Sequence, residues 1–236
     1  MGHENMMPEQ LNRSYCSDDS LGSSGELVAP SIERWPQFEP MLRLGVMASG
    51  NGSNFGAIQE AISANLLKAE IRQLVVNNQG CGAAKRADCF NIPCKLLDHR
   101  KFNQREHLDH ALVKTFLQAD VELVVMAGWM RIVTSVLIDA FPSRLLNIHP
   151  SLLPSFKGLD AVGQALKASV RVSGCTAHLV QPDVDAGRII AQAAVPVHQN
   201  DTPASLAKRI QFQEHRILPW AIALTGLNWR QGQSIG

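Results

Sequence analysis

No apolar run in this chain approaches the length of a membrane span: the longest, LVVMAGWM at residues 123–130, has eight residues where about twenty are needed. No hydrophobic stretch of the signal-peptide kind is visible, and the acidic N-terminal region argues against a transit peptide. Cysteine is scarce and odd in number. Cys16, Cys81, Cys89, Cys94 and Cys175 fit no zinc-ligand spacing. Reduced thiols in a cytoplasmic protein are the reading this favours. A basic stripe is missing as well. Net charge is +1, and residues 1–40 hold seven of the 21 acidic side chains but two of the 22 basic ones, which leaves 20 bases against 14 acids, or +6, in the remainder. That balance suits a small anionic substrate and argues against a nucleic-acid partner, which needs a patch or stripe of positive charge.

What is present is a chain of 236 residues, 45% hydrophobic, enough for one domain with a large core. Residues 1–40 are rich in Ser, Glu, Asp and Pro without apolar periodicity, and are expected to form a disordered acidic tail. From residue 41 the pattern changes. LRLGVMA, IRQLVV, CKLLD, VELVVMA and RLLNIH read as strands, alternating with helical stretches such as FGAIQEAISANLL, GAAKRADCF and QREHLDHALVKTFLQAD. This alternation predicts an α/β fold with a mostly parallel sheet and helices on both faces. GCTAHLVQ and RIIAQAAVPV are joined by the short link PDVDAG, which predicts an antiparallel excursion in the C-terminal half, and PASLAKRIQFQEHRILPWAIALTG is a closing helix. A single domain over residues 41–236 is expected.

Two places carry chemistry. SGNGSN (residues 49–54) follows the first strand and opens the first helix, where free N–H groups and the helix dipole accept an anion. It matches neither GxGxxG nor GxxxxGK[ST], so it predicts a phosphate monoester rather than a dinucleotide or a nucleoside triphosphate. In RLLNIHPSLLP, Asn147 and His149 alternate and share one strand face. An amide and an imidazolium converging on one point suit the oxyanion of an attacked carbonyl, and the prolines that follow stiffen the exit. A nearby carboxylate would favour the charged imidazole; PDVDAG offers both Asp183 and Asp185. No Ser or Cys sits in a nucleophile elbow, which favours direct acyl transfer. His107 and His110, one helical turn apart, lack a third ligand and read as a solvated face, so no metal is expected.

SGNGSN, AGWMRI, LLNIHPSLLP, GCTAHLV, DVDAG and QEH, in this order and spacing, resemble the phosphoribosylglycinamide formyltransferases of the folate-dependent formyltransferase family, over roughly residues 42–227. The resemblance implies a formyltransferase-type fold and formyl transfer from 10-formyltetrahydrofolate to glycinamide ribonucleotide in purine biosynthesis. It implies Asn147, His149 and Asp185 as catalytic residues. Gly52, Ser53, Asn54 and Glu214 would hold the ribonucleotide, and Arg105, Met130, Arg131, Ile132, Val133 and Asn147 the folate. The partners are then two small molecules, with no nucleic acid, membrane or metal, and a monomer or weak homodimer is expected. GLDAVGQAL, residues 158–166, departs most from the family pattern. Three other activities compete. A formyltetrahydrofolate hydrolase needs no phosphate site; a methionyl-tRNA formyltransferase would add an RNA-binding domain; a non-catalytic binding regulator would not need the Asn/His/Asp set.

Overall fold

A computed structural model describes residues 27–232. Eight strands form one sheet in the order β1-β8-β7-β6-β5-β2-β3-β4. The parallel part comprises β2 (Leu42–Ala48), β3 (Ala69–Val76), β4 (Cys94–Leu96), β5 (Leu123–Met126) and β6 (Leu145–His149). β7 (Val172–Leu179) turns antiparallel against β6, β8 (Ile189–Pro196) against β7, and the short β1 (Val28–Ala29) against β8. The α/β architecture with an antiparallel excursion is therefore as expected.

The central strands are almost continuously apolar because helices cover both faces. On one face α1 (Ser53–Ser63), α2 (Gly82–Phe90) and the long α6 (Pro203–Arg230) pack Phe55, Ile58, Ala83, Leu206 and Ile217 against Leu44, Val46 and Val125. On the other, α3 (Arg105–Gln118) and α4 (Ser135–Ala140) bury Leu112, Phe116 and Leu137 against Met47, Val75 and Val124. Gly45 makes this second layer possible: a Cβ there would sit 2.6 Å from the Phe116 ring, so a larger residue would push α3 off the sheet. No helix among the described residues is long and apolar enough to cross a membrane.

One expectation needs correction. Within the tail expected over residues 1–40, the chain is seated on the domain from Leu27 onward. β1 adds to the β8 edge, Trp35 meets Trp220 edge to face at 5.3 Å between ring centroids, and Phe38 is buried in the core. Isolated anchors spaced along an irregular strap leave no helical or strand period to read. Residues 1–26 of the expected tail lie outside the described residues. GLDAVGQAL, which departs most from the family pattern, leads into the short helix α5 (Ala161–Lys167), capped by the Asp160 carboxylate accepting from the Gly163 N–H.

Candidate active site

β6 ends at the junction between the parallel and antiparallel parts of the sheet, and its pleat sends Asn147 and His149 to the same face. His178 lies directly opposite Asn147 on β7, which places it on that face too. The Asn147 Nδ2 and His178 Nε2 are 3.1 Å apart. β7 ends beside the start of β6, Leu179 facing Leu146. Asp185 nevertheless reaches the far end of β6: its Oδ2 is 3.3 Å from His149 Nδ1, and its Oδ1 is 3.6 Å from His178 Nε2. The link after β7 must therefore fold back along β6, and the Gly158 N–H secures it by donating to Asp185 Oδ2 at 2.8 Å. Asp183 is exposed on the same link and also lines the cleft, but Asp185 is the acid set against both histidines.

Hydrogen-bond chemistry constrains the rings. His149 Nε2 faces the Phe156 carbonyl at 2.9 Å and Nδ1 faces the Asp185 carboxylate. Both partners only accept, so the doubly protonated ring satisfies both. His178 Nδ1 donates to the Leu179 carbonyl at 2.9 Å, which leaves Nε2 between the Asn147 amide and Asp185. Burial pushes the Asp185 carboxyl up, but the hydrogen bonds from His178 and Gly158 and the charges of His149 and His178 outweigh it and hold the group below its ordinary value. Asp185 is thus an anion that favours imidazolium beside it.

The strand exit is braced from beneath. Thr176 Oγ1 donates to the Ser151 carbonyl at 2.7 Å and accepts from the Leu153 N–H and from Gln192 Nε2, each at 3.0 Å. Ser151 Oγ donates to the Ser155 carbonyl at 2.6 Å. With Pro150 and Pro154 limiting φ, these bonds fix the turn that follows His149.

A cleft of about 400 Å³ opens over this cluster. Met126, Trp129, Ile132, Val133 and Val162 give it apolar walls, and Met130, Arg131, Asn147 and His149 border it. Arg105 is not among the lining residues; it is exposed at the start of α3. A second cleft, about 480 Å³, follows residues 49–54 and shares Asn54, Gly128, Met130 and Arg131 with the first. Gly52 caps α1 with φ +73°, and a Cβ on it would lie 2.6 Å from the Ala83 Cα. Only glycine combines that left-handed backbone with such close approach of α2. Ser49 closes the loop from below, its N–H donating to the Gly128 carbonyl and its Oγ accepting from the Met130 N–H.

Glu214, on α6, accepts from Asn54 Nδ2 at 2.9 Å inside the protein. Burial raises its carboxyl above the ordinary value and the Asn54 bond opposes this in part. Three residues earlier Gln211 donates to Ser53 Oγ at 3.0 Å. Sequence reading passed over Gln211, although residues three apart on a helix share a face and Glu214 marked that face. His178, inside TAHLV, gives no sequence sign of its two polar partners, Asn147 and Asp185. Burial and the nearby Glu214 push the Cys175 thiol far up, so no thiolate nucleophile stands here.

Comparison with known proteins shows the family and the fold. Residues 42–222 match the model of a family described as formyl transferase. The chain is 38% identical over 191 residues to a phosphoribosylglycinamide formyltransferase of Bacillus subtilis, covering 80% of this chain and 98% of that protein. It is 40% identical over 183 residues to the trifunctional purine biosynthetic protein adenosine-3 of Gallus gallus, but spans only 18% of that much longer relative. A crystal structure of glycinamide ribonucleotide transformylase 1 from Symbiobacterium toebii superimposes with a TM-score of 0.78 at 40% identity, covering 80% of this chain and 89% of that one.

Proposed function

The chain belongs to the formyl transferase family, and we propose that it moves a formyl group from 10-formyltetrahydrofolate to the amine of glycinamide ribonucleotide, as the names of its relatives indicate for them. The observation that carries this reading is the pairing of an Asn147–His149–Asp185 cluster with an anion cleft sharing one rim with it.

The two clefts suit the two substrates. A flat apolar ring system fits between Trp129, Ile132 and Val133, and bound there the folate supplies the formyl carbon to the cluster at Asn147. The Gly52–Asn54 loop holds a phosphate on backbone N–H groups, with Gln211 and Ser53 beside it. Glu214 and Asn54, at the junction, contact the ribose. When the glycinamide amine attacks the formyl carbon, negative charge develops on the formyl oxygen. The His149 Nε2–H and the Asn147 amide are the donors placed to receive it. The His149 Nε2–H faces the Phe156 carbonyl, which the formyl oxygen must displace, whereas the Asn147 amide has a second N–H besides the one directed at His178. Asp185 keeps His149 charged and accepts the amine proton on its way to the departing nitrogen. Arg131, exposed and lining both clefts, is placed for the acidic end of the folate; Arg105 could join it only by reaching over from α3.

The test is to supply 10-formyltetrahydrofolate with and without glycinamide ribonucleotide and follow deformylation. Strict dependence on the ribonucleotide is expected, and release of formate without it would overturn the transferase reading in favour of a hydrolase.

A further inference from the structure

The anion cleft extends beyond the phosphate loop to Asn77, Asn78 and His99, and the mechanism above uses none of the three. β3 and β4 are parallel with Val76 opposite Leu96. Asn77 and the single 3-10 turn at His99–Lys101 therefore leave the sheet along the same edge. Asn78 has a partner: its amide donates to the Ser49 carbonyl at 2.7 Å and steadies the loop. The other two do not. Asn77 is 1% exposed and its amide oxygen has no hydrogen bond, and the Nδ1 of His99 is buried and equally unpartnered. Buried polar atoms are nearly always paired, so two orphans in one cleft point to a ligand that pairs them.

Charge narrows the ligand. Residues 49–54 bring backbone N–H groups, amides and hydroxyls, but no cationic side chain. Among all lining residues of the cleft only Arg131 and His99 can carry positive charge, and Arg131 also borders the folate cleft. A phosphate monoester bears between about one and two negative charges near neutral pH, and confining it without compensation is costly. Histidine can supply that charge in this range.

We propose that His99 is a phosphate-contacting residue, its ring N–H donating to the phosphate that the residue 49–54 loop holds. The proposal rests on the ribonucleotide reading given above. Asn77 offers the acceptor that a sugar hydroxyl or a singly protonated phosphate needs in the same cleft.

Calorimetric titration of three ligands tests it: glycinamide ribonucleotide, the dephosphorylated glycinamide riboside, and inorganic phosphate. Wild type is compared with His99→Gln and His99→Ala, each checked for folding by circular dichroism. Loss of one charge-assisted hydrogen bond should weaken the ribonucleotide and inorganic phosphate about ten- to a hundredfold, with riboside binding unchanged. Binding of phosphate and ribonucleotide within about twofold of wild type, where no fixed partner has been lost, overturns the proposal. Equal loss for riboside and ribonucleotide overturns it too, as does a wild-type protein that binds neither phosphate nor ribonucleotide. If His99 variants lose phosphate affinity while the wild type fails to formylate the ribonucleotide, His99 keeps its role and the functional reading falls.

Discussion

His149 is buried with an acceptor at each ring nitrogen, one of them the Asp185 carboxylate. In the proposed mechanism, replacing His149 by Ala removes an oxyanion donor, and Asp185→Asn removes the anion set against the ring. Each should lower kcat by about 10²–10³, and Asp185→Asn should also lower the melting temperature, because the depressed carboxylate contributes stability near neutral pH. Near-normal turnover in either variant, measured by single-turnover formyl transfer, would remove that residue from the mechanism. Glu214 behaves differently, because a carboxylate inside the protein opposes its own ionisation. Glu214→Gln should keep or raise thermal stability while weakening ribonucleotide binding. The sequence showed which residue types cluster, since Asn147 and His149 are bound by the two-residue period of a strand. It could not choose between Asp183 and Asp185. That choice depends on a link folding back along β6, and no local pattern encodes such a path.

Most elements were legible at the next scale because each has a strong period and a distinct boundary. GAAKRADCF coincides with α2, and LRLGVMA with β2, buried along nearly its whole length. The strap before β2 was not legible, because Val28, Trp35 and Phe38 are held by the domain rather than by one another. Phe38→Ala should therefore destabilise the protein by about 3 kcal/mol, read as a lower urea midpoint with an unchanged slope. An unaltered midpoint would mean that the strap contributes nothing to the fold. In the loop of residues 49–54, Gly52→Ala puts a methyl against α2 backbone on a left-handed residue. The loop must shift, so affinity for the ribonucleotide should fall by more than about tenfold while the helices, read by circular dichroism, persist.

For the molecule as a whole, two carboxylates tilt stability in opposite directions with pH. Asp185 is depressed in the folded state, so its contribution is present above its ordinary value of 3.8 and is lost as pH falls through the lower folded value. Glu214 is raised, so its contribution is present below its ordinary value of 4.5 and is lost as pH rises through the higher folded one. Thermal melts between about pH 5 and 8 should show a downward slope from Glu214 that Glu214→Gln flattens; parallel curves would contradict the assignment. The pairing of β6 with β7 has a further consequence. Asn147 faces His178 and His149 faces Thr176, and a slip by one residue would turn every one of these side chains through the sheet at once. The proposed mechanism therefore requires that this strand pair stay zipped between turnovers. Its amide protons should be among the last to trade with solvent deuterium, which would make the proposed reaction centre one of the slowest parts of the molecule to open.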